Sequence, residues 1–202
     1  MSTLGVTQLL TIPIPLPGSQ YPPSTASLSI SSGSVVPFSG DCIVNAANQA
    51  GPGGGGVDGA IVKAGGDALQ DAREALPILP GTETVRIPTG SARITIGGDL
   101  PATWCIHAVG PAYFRYDSEE EADKKLVGAY AASMRLAAEK GVRTLAFSLL
   151  SAGVFRGKRS LVDVLRIGVE TVKKNVYEGL EEVHFVAYLE KEQCALIQIC
   201  RE

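Results

Sequence analysis

The chain has 202 residues, about one domain's worth, and a chain of this size buries about 70% of its unfolded surface without help from disulfides or metal. Hydrophobic residues make up 45% and charged residues 19%, a balance that excludes general disorder. The net charge of −3 excludes the basic face of a general nucleic-acid binder. A small anionic ligand remains open, because backbone N–H groups hold phosphate without Lys or Arg.

Residues 1–26 are uncharged and carry Pro13, Pro15, Pro17, Pro22 and Pro23. That density excludes a helix and limits any strand to a sheet edge. A proline-rich extension is therefore expected over 1–26, with one edge strand available over 6–14, and the domain proper over 27–202. Leu28 and Ile30 alternate with serines, which predicts a short half-buried strand. Residues 42–44 form an apolar run suited to a buried central strand. A helix is expected over 58–76, with Asp58 near its positive end and Pro77 just beyond it. Strands follow over 93–96 and 104–109. A long helix spans 119–140, acidic at its start, basic at its end and stopped by Gly141. The rest reads as a strand over 144–150, a helix over 160–175, a strand over 183–189 and a helix over 191–200. Strands alternating with helices predict an α/β class with helices on both faces of one sheet.

Cys42, Cys105, Cys194 and Cys200 contain no C-x-x-C pair, and the only histidines are His107 and His184, so no zinc-site spacing exists. Reduced, mostly buried cysteines are expected, with both histidines in structural positions. No Lys or Arg precedes Lys63, so the start fits neither a secretory signal nor a transit peptide. No apolar run reaches the ~20 residues of a membrane span. The expectation is a soluble protein of the cytoplasm or nucleus, without membrane contact.

Two segments stand out, each placed just after an expected strand, where ligands bind in open α/β sheets. The first runs from Asn45 through Asn48 to Gly53-Gly54-Gly55-Gly56-Val57-Asp58, and the second is Ser151-Ala152-Gly153-Val154-Phe155. Gly51, Gly53 and Gly56 satisfy G-x-G-x-x-G, but six residues separate Val44 from Gly51, whereas a dinucleotide-binding turn needs its first glycine directly after the strand. A P-loop fails too, because only three residues lie between Gly153 and Gly157, and Arg159 follows Lys158 where Ser or Thr is required. What remains is physical. Consecutive glycines beside a helix start let backbone N–H groups approach an anion closely, so the two segments predict facing loops around a diphosphate.

The run NAANQAGPGGGGVDGAI over 45–61 resembles the signature of macrodomains, particularly the MacroD-type branch that hydrolyses ADP-ribose linkages. Collinear support comes from TGSARIT over 89–95, IHAVGP over 106–111 and LSAGVF over 150–155. The C-terminal half is also similar to viral macrodomains, and the resemblance covers roughly residues 28–200. It implies a three-layer α/β/α sandwich around a central mixed sheet. It further implies that Asn48 bonds the distal ribose, with Asn45 shaping the loop beneath. Gly54, Gly55, Gly56 and Val57 would line diphosphate and ribose from one side. Ser151, Ala152, Gly153, Val154 and Phe155 would close from the other, and Tyr188 would stack on adenine. Asp58 aligns with the catalytic acid, and a carboxylate there can order a water or steady oxocarbenium charge.

The chain also departs from that pattern. Ser34, beside Val35 at the adenine position, replaces an aspartate that binds the adenine amino group, and a neutral hydroxyl makes a weaker contact. Gly51-Pro52 replaces an apolar residue, Val62 a histidine, and Arg156 and Lys158 replace Gly and Pro. The expected function is hydrolysis of mono-ADP-ribosyl linkages on acidic side chains, or of O-acetyl-ADP-ribose, by Asn48 and Asp58. The expected partners are ADP-ribose or ADP-ribosylated proteins, the expected state is a monomer, and no cofactor or metal is implied. A reader module that binds ADP-ribose without turnover is the alternative.

Overall fold

A computed structural model describes residues 4–18 and 25–202. Its strands are β1 (Thr7–Pro15), β2 (Thr25–Ser32), β3 (Cys42–Ala46), β4 (Ser91–Ile96), β5 (Trp104–Val109), β6 (Thr144–Phe147) and β7 (Glu182–Ala187). The helices are α1 (Gly56–Glu74), α2 (Glu119–Glu139), α3 (Leu161–Lys174) and α4 (Glu190–Arg201). All seven strands join one sheet in the order β1-β2-β7-β6-β3-β5-β4. The five inner strands are parallel, while β1 and β4 pair antiparallel at the two edges.

Alternation along β3 shows how the layers are built. Cys42 and Val44 turn toward a large apolar cluster that includes Tyr130 and Met134 of α2, Val169 of α3 and Leu196 of α4. Ile43 turns the other way, toward Ile61 and Leu69 of α1. Successive strand side chains point to opposite faces, so a fully apolar stretch is what a strand buried on both sides requires. The result is the expected α/β/α sandwich. Aromatic rings anchor the larger face, with Phe147 and Phe185 stacked at 5.5 Å and Tyr130 tilted against Phe147 at 5.3 Å.

The edge strand expected over 6–14 forms as β1, one residue displaced. Pro22 and Pro23 lie outside the described residues. Several boundaries differ from expectation by a few residues, those of β6 and α1 for local reasons. The strand expected over 144–150 stops at Phe147, because the Ser148 hydroxyl takes over at the rung. Its Oγ donates to the Val44 carbonyl at 2.7 Å and accepts the Ala46 N–H at 2.9 Å. Helix α1 starts at Gly56 rather than residue 58 and ends at Glu74, and it breaks at Gly66, whose φ is 64°. A Cβ on Gly66 would lie 2.3 Å from Asp99 Oδ2, so the 97–100 loop fits against the helix only at a glycine. Finally, two cysteines are buried as expected, but Cys200 is half-buried and Cys194 exposed. Burial pushes the Cys105 thiol up to about 12 and raises Cys42, so both behave as small apolar side chains.

Register aligns the carboxyl ends of the parallel strands. Ser32 lies beside Ala187, Phe185 beside Phe147, Phe147 beside Val44 and Ala46 beside Ala108. The segments after β2, β7, β6 and β3 therefore emerge along one rim of the sheet.

Candidate functional site

Those four segments enclose a cleft of about 540 Å³. Gly33, Ser34 and Val35 enter it after β2, Tyr188 and Leu189 after β7, Ala152 and Gly153 after β6, and Gly56 and Val57 after β3. The two glycine-bearing turns thus share one cavity, as their chain positions predict. Helix α1 begins there with Gly55 as its N-cap and no side chain satisfying its first N–H groups. Such a helix end presents free donors and the positive pole of the dipole, the chemistry that holds an anion. Gly54 must be glycine, since a Cβ would lie 2.8 Å from Asp58 Oδ2 and 3.0 Å from Asn48 Nδ2.

The opposing turn is held under backbone strain. Ser151 is the one non-glycine residue with positive φ among those described, at 56°. Its Oγ donates to the Pro111 carbonyl at 2.8 Å, so the hydroxyl fixes the loop rather than facing the cleft. Ala152 and Gly153 form the wall, while Val154 points outward at 85% exposure. Tyr188 is 77% exposed on the rim of the cleft. Arg156 donates to the Arg159 carbonyl and Arg159 pairs with Asp123 and Asp163. Neither these arginines nor Lys158 lines the cleft, so added positive charge in this loop does not reach its interior.

A second hollow of about 450 Å³ is lined by Asn48, Gln49, Thr89, Arg115, Tyr116 and Phe155, among others. Asn48 Nδ2 donates to the Gly53 carbonyl at 2.7 Å, and its Oδ1 accepts from Ala50 N at 3.0 Å and Gly51 N at 3.2 Å. Asn48 therefore shapes the glycine turn from below while bordering this hollow. Phe155 joins it here and not in the larger cleft, which separates Phe155 from Ala152 and Gly153.

Under the glycine turn lies a buried polar network. Asn45 Nδ2 donates to Asp58 Oδ1 at 2.6 Å and lies 3.2 Å from His107 Nδ1, while His107 Nε2 lies 2.9 Å from Thr95 Oγ1. Thr95 Oγ1 in turn donates to the Ile96 carbonyl, so the consistent tautomer is neutral, with the proton on Nε2. Burial and the nearby Arg73 cation push His107 down to about 3, in keeping with that neutral form. The Arg73 guanidinium is wholly buried, with Nη1 2.9 Å from Asp58 Oδ1 as an ion contact without hydrogen-bond geometry. Asp58 itself is only 3% exposed and does not line either cavity. The structure thus brings Asn45, Asn48, Gly54 and Asp58 together, but with the Asp58 carboxylate beneath the turn.

Sequence reasoning missed Arg73, Thr95 and Glu192. Arg73 is an arginine in the last turn of a helix, where the dipole alone accounts for it. Glu192 lines the cleft between Leu189 and Val186, and its only sequence mark is its place three residues after Leu189 at the start of α4. Among the described residues no group of three or more His, Cys, Asp or Glu could hold a metal, and no helix is long and apolar enough to cross a membrane.

Comparison with known proteins accounts for this architecture. Residues 44–164 match the model of the Macro domain. The chain belongs to the macrodomain family. This macrodomain is 42% identical over 162 residues to a Macro domain-containing protein of Streptomyces nogalater, covering 80% of this chain and 85% of that one. It is 40% identical over 161 residues to the O-acetyl-ADP-ribose deacetylase of Escherichia coli strain K12, covering 79% and 86%. Among solved structures, the Oceanobacillus iheyensis macrodomain with ADP superposes with a TM-score of 0.78 at 25% identity, covering 95% of each chain. The Trypanosoma brucei macrodomain in complex with ADP-ribose gives a TM-score of 0.72 at 28% identity, covering 87% of this chain and 69% of that one.

Proposed function

We propose that this macrodomain binds ADP-ribose in the 540 Å³ cleft and hydrolyses O-acetyl-ADP-ribose, mono-ADP-ribosyl esters of acidic side chains, or both. One observation carries the binding: the uncapped start of α1 and the Ala152-Gly153 wall face each other across one cavity. In this reading their backbone N–H groups take the diphosphate. The adenosine then lies toward Val35, Ser34 and Tyr188, and the distal ribose toward Asn48 and Phe155 in the adjoining hollow. Hydrolysis adds water across the ester, hydroxyl to the electrophilic carbon and hydrogen to the leaving oxygen. Asp58 and Asn48, which frame the glycine turn from beneath, set the position of that water relative to the substrate's own phosphate. The deacetylase relatives at about 40% identity support the same chemistry. The domain proper spans 27–202 and acts as a monomer in solution, with β1 as an added strand.

A reader without turnover is the second reading, favoured by the burial of Asp58 against Arg73 and Asn45. Both readings expect calorimetric binding of ADP-ribose. Only the first expects release of ADP-ribose from a glutamate-modified protein or acetate from O-acetyl-ADP-ribose. In the first, Asp58→Ala lowers the rate by about 100-fold or more, the scale of a lost acid–base group. Equal rates for wild type and Asp58→Ala remove Asp58 from the chemistry, and binding without product establishes the reader.

A further inference from the structure

The cleft is chemically lopsided. Toward β3 and β6 its wall carries no charged side chain, only Gly56, Val57, Ser148, Leu149, Ala152 and Gly153 among the loop residues, while toward β2 and β7 it holds Ser34, Tyr188 and the single acidic or basic residue of its lining, Glu192. Glu192 is 8% exposed, so its carboxylate is held in place and not swept through solvent. Its Oε2 accepts the Leu189 N–H at 3.0 Å, closing the first turn of α4. Capping consumes that one oxygen. Oε1 has no hydrogen-bond partner among the described residues, and Glu192 lines the cleft.

Once a ligand fills the cleft and displaces its water, a carboxylate oxygen on the wall needs an N–H donor, and it repels the anionic part of the ligand. Both effects orient a nucleotide the same way, with phosphates at the glycine turns and the base at the α4 end. The geometry points to Glu192 as a specificity-determining residue, whose Oε1 accepts a hydrogen from the exocyclic amine of the bound purine. This assignment rests on the nucleotide-binding reading of the cleft and adds to it a choice of base. Loss of the amine strands the carboxylate without a donor, so the site rejects a base that lacks it.

The test compares ADP-ribose with its analogue in which hydrogen replaces the adenine amino group, by calorimetry on the full chain. Wild type is expected to prefer ADP-ribose by about tenfold or more, the scale of a hydrogen bond to a charged acceptor. In Glu192→Gln the side-chain oxygen must still cap Leu189, which turns the amide N–H₂ toward the cleft. The preference should then fall to near unity with the melting temperature unchanged. Glu192→Ala, which loses the cap as well, should melt earlier and also show no preference. An unchanged ratio in Glu192→Gln, or a wild-type ratio near unity, overturns the role of Glu192 while leaving ADP-ribose binding intact. Failure of wild type to bind either ligand overturns the binding assignment itself, and this inference with it.

Discussion

The two faces of the sheet solve different problems with the same strands. Toward α2, α3 and α4 the packing is hydrocarbon and aromatic, from Leu28 and Val44 through Phe147 to Met134 and Leu196. Toward α1 the apolar cluster is smaller, and beside it β3, β4 and β5 contribute Asn45, Thr95 and His107 to a buried network closed by Asp58 and Arg73 of α1. Apolar packing is forgiving and non-directional, whereas a buried polar network is stable only when its members stay paired. The face that sets the glycine turn is therefore the face where one lost partner is most costly.

Breaking the pair at its centre should show the largest effect. Arg73→Met leaves Asp58 as a buried charge without its cation, and removal of one partner of a buried pair costs about 3–5 kcal/mol. Urea unfolding should report that loss, and ADP-ribose affinity should fall with it. Met134→Ala, buried on the opposite face, should destabilise by about 2–5 kcal/mol yet leave affinity in the folded protein unchanged. Equal effects of the two on affinity would erase the distinction between the faces.

Acid should strike the polar face first. The native state holds His107 down to about 3, from an ordinary value of 6.5, so below pH 6.5 the unfolded chain binds a proton that the folded chain refuses. Stability is then complete above that point and falls as pH drops toward 3, by about 1.4 kcal/mol per unit from this group. His184, lowered chiefly by burial, acts in the same direction. Denaturant titrations at pH 7.5 and 5 should reveal the slope, and His107→Gln should reduce it.

Much of this was readable from the chain. Every helix and strand expected between 28 and 200 forms, because each carries its own periodicity or stop signal, and the two loops were marked by glycines at strand ends. The parts that escaped depend on partners distant in sequence. Nothing near Arg73 says that it will be buried, since its reason to be there is a carboxylate fifteen positions away. Likewise the early end of β6 comes from Ser148 bonding across to β3, a choice that propensity does not express. Glu192 looks like any helix-start glutamate until β2 and β7 bring the cleft against it.

The smallest effect should come from the opposing turn. Ser151→Ala removes the bond to the Pro111 carbonyl and keeps the positive φ, and should cost about 1 kcal/mol in a thermal melt. Ser151→Gly relieves the strain while losing the same bond, and should melt above the alanine variant. The reverse order would place the strain elsewhere.

The outermost strand carries one further consequence. Pro13 and Pro15 of β1 pair with Ser27 and Thr25, and a proline nitrogen carries no hydrogen to donate. A neighbouring polypeptide approaching that border finds fewer hydrogens on offer than an ordinary edge strand presents, which weakens any extension of the ladder. Two prolines that contribute little to the interior thus blunt an edge that would otherwise be open to further pairing.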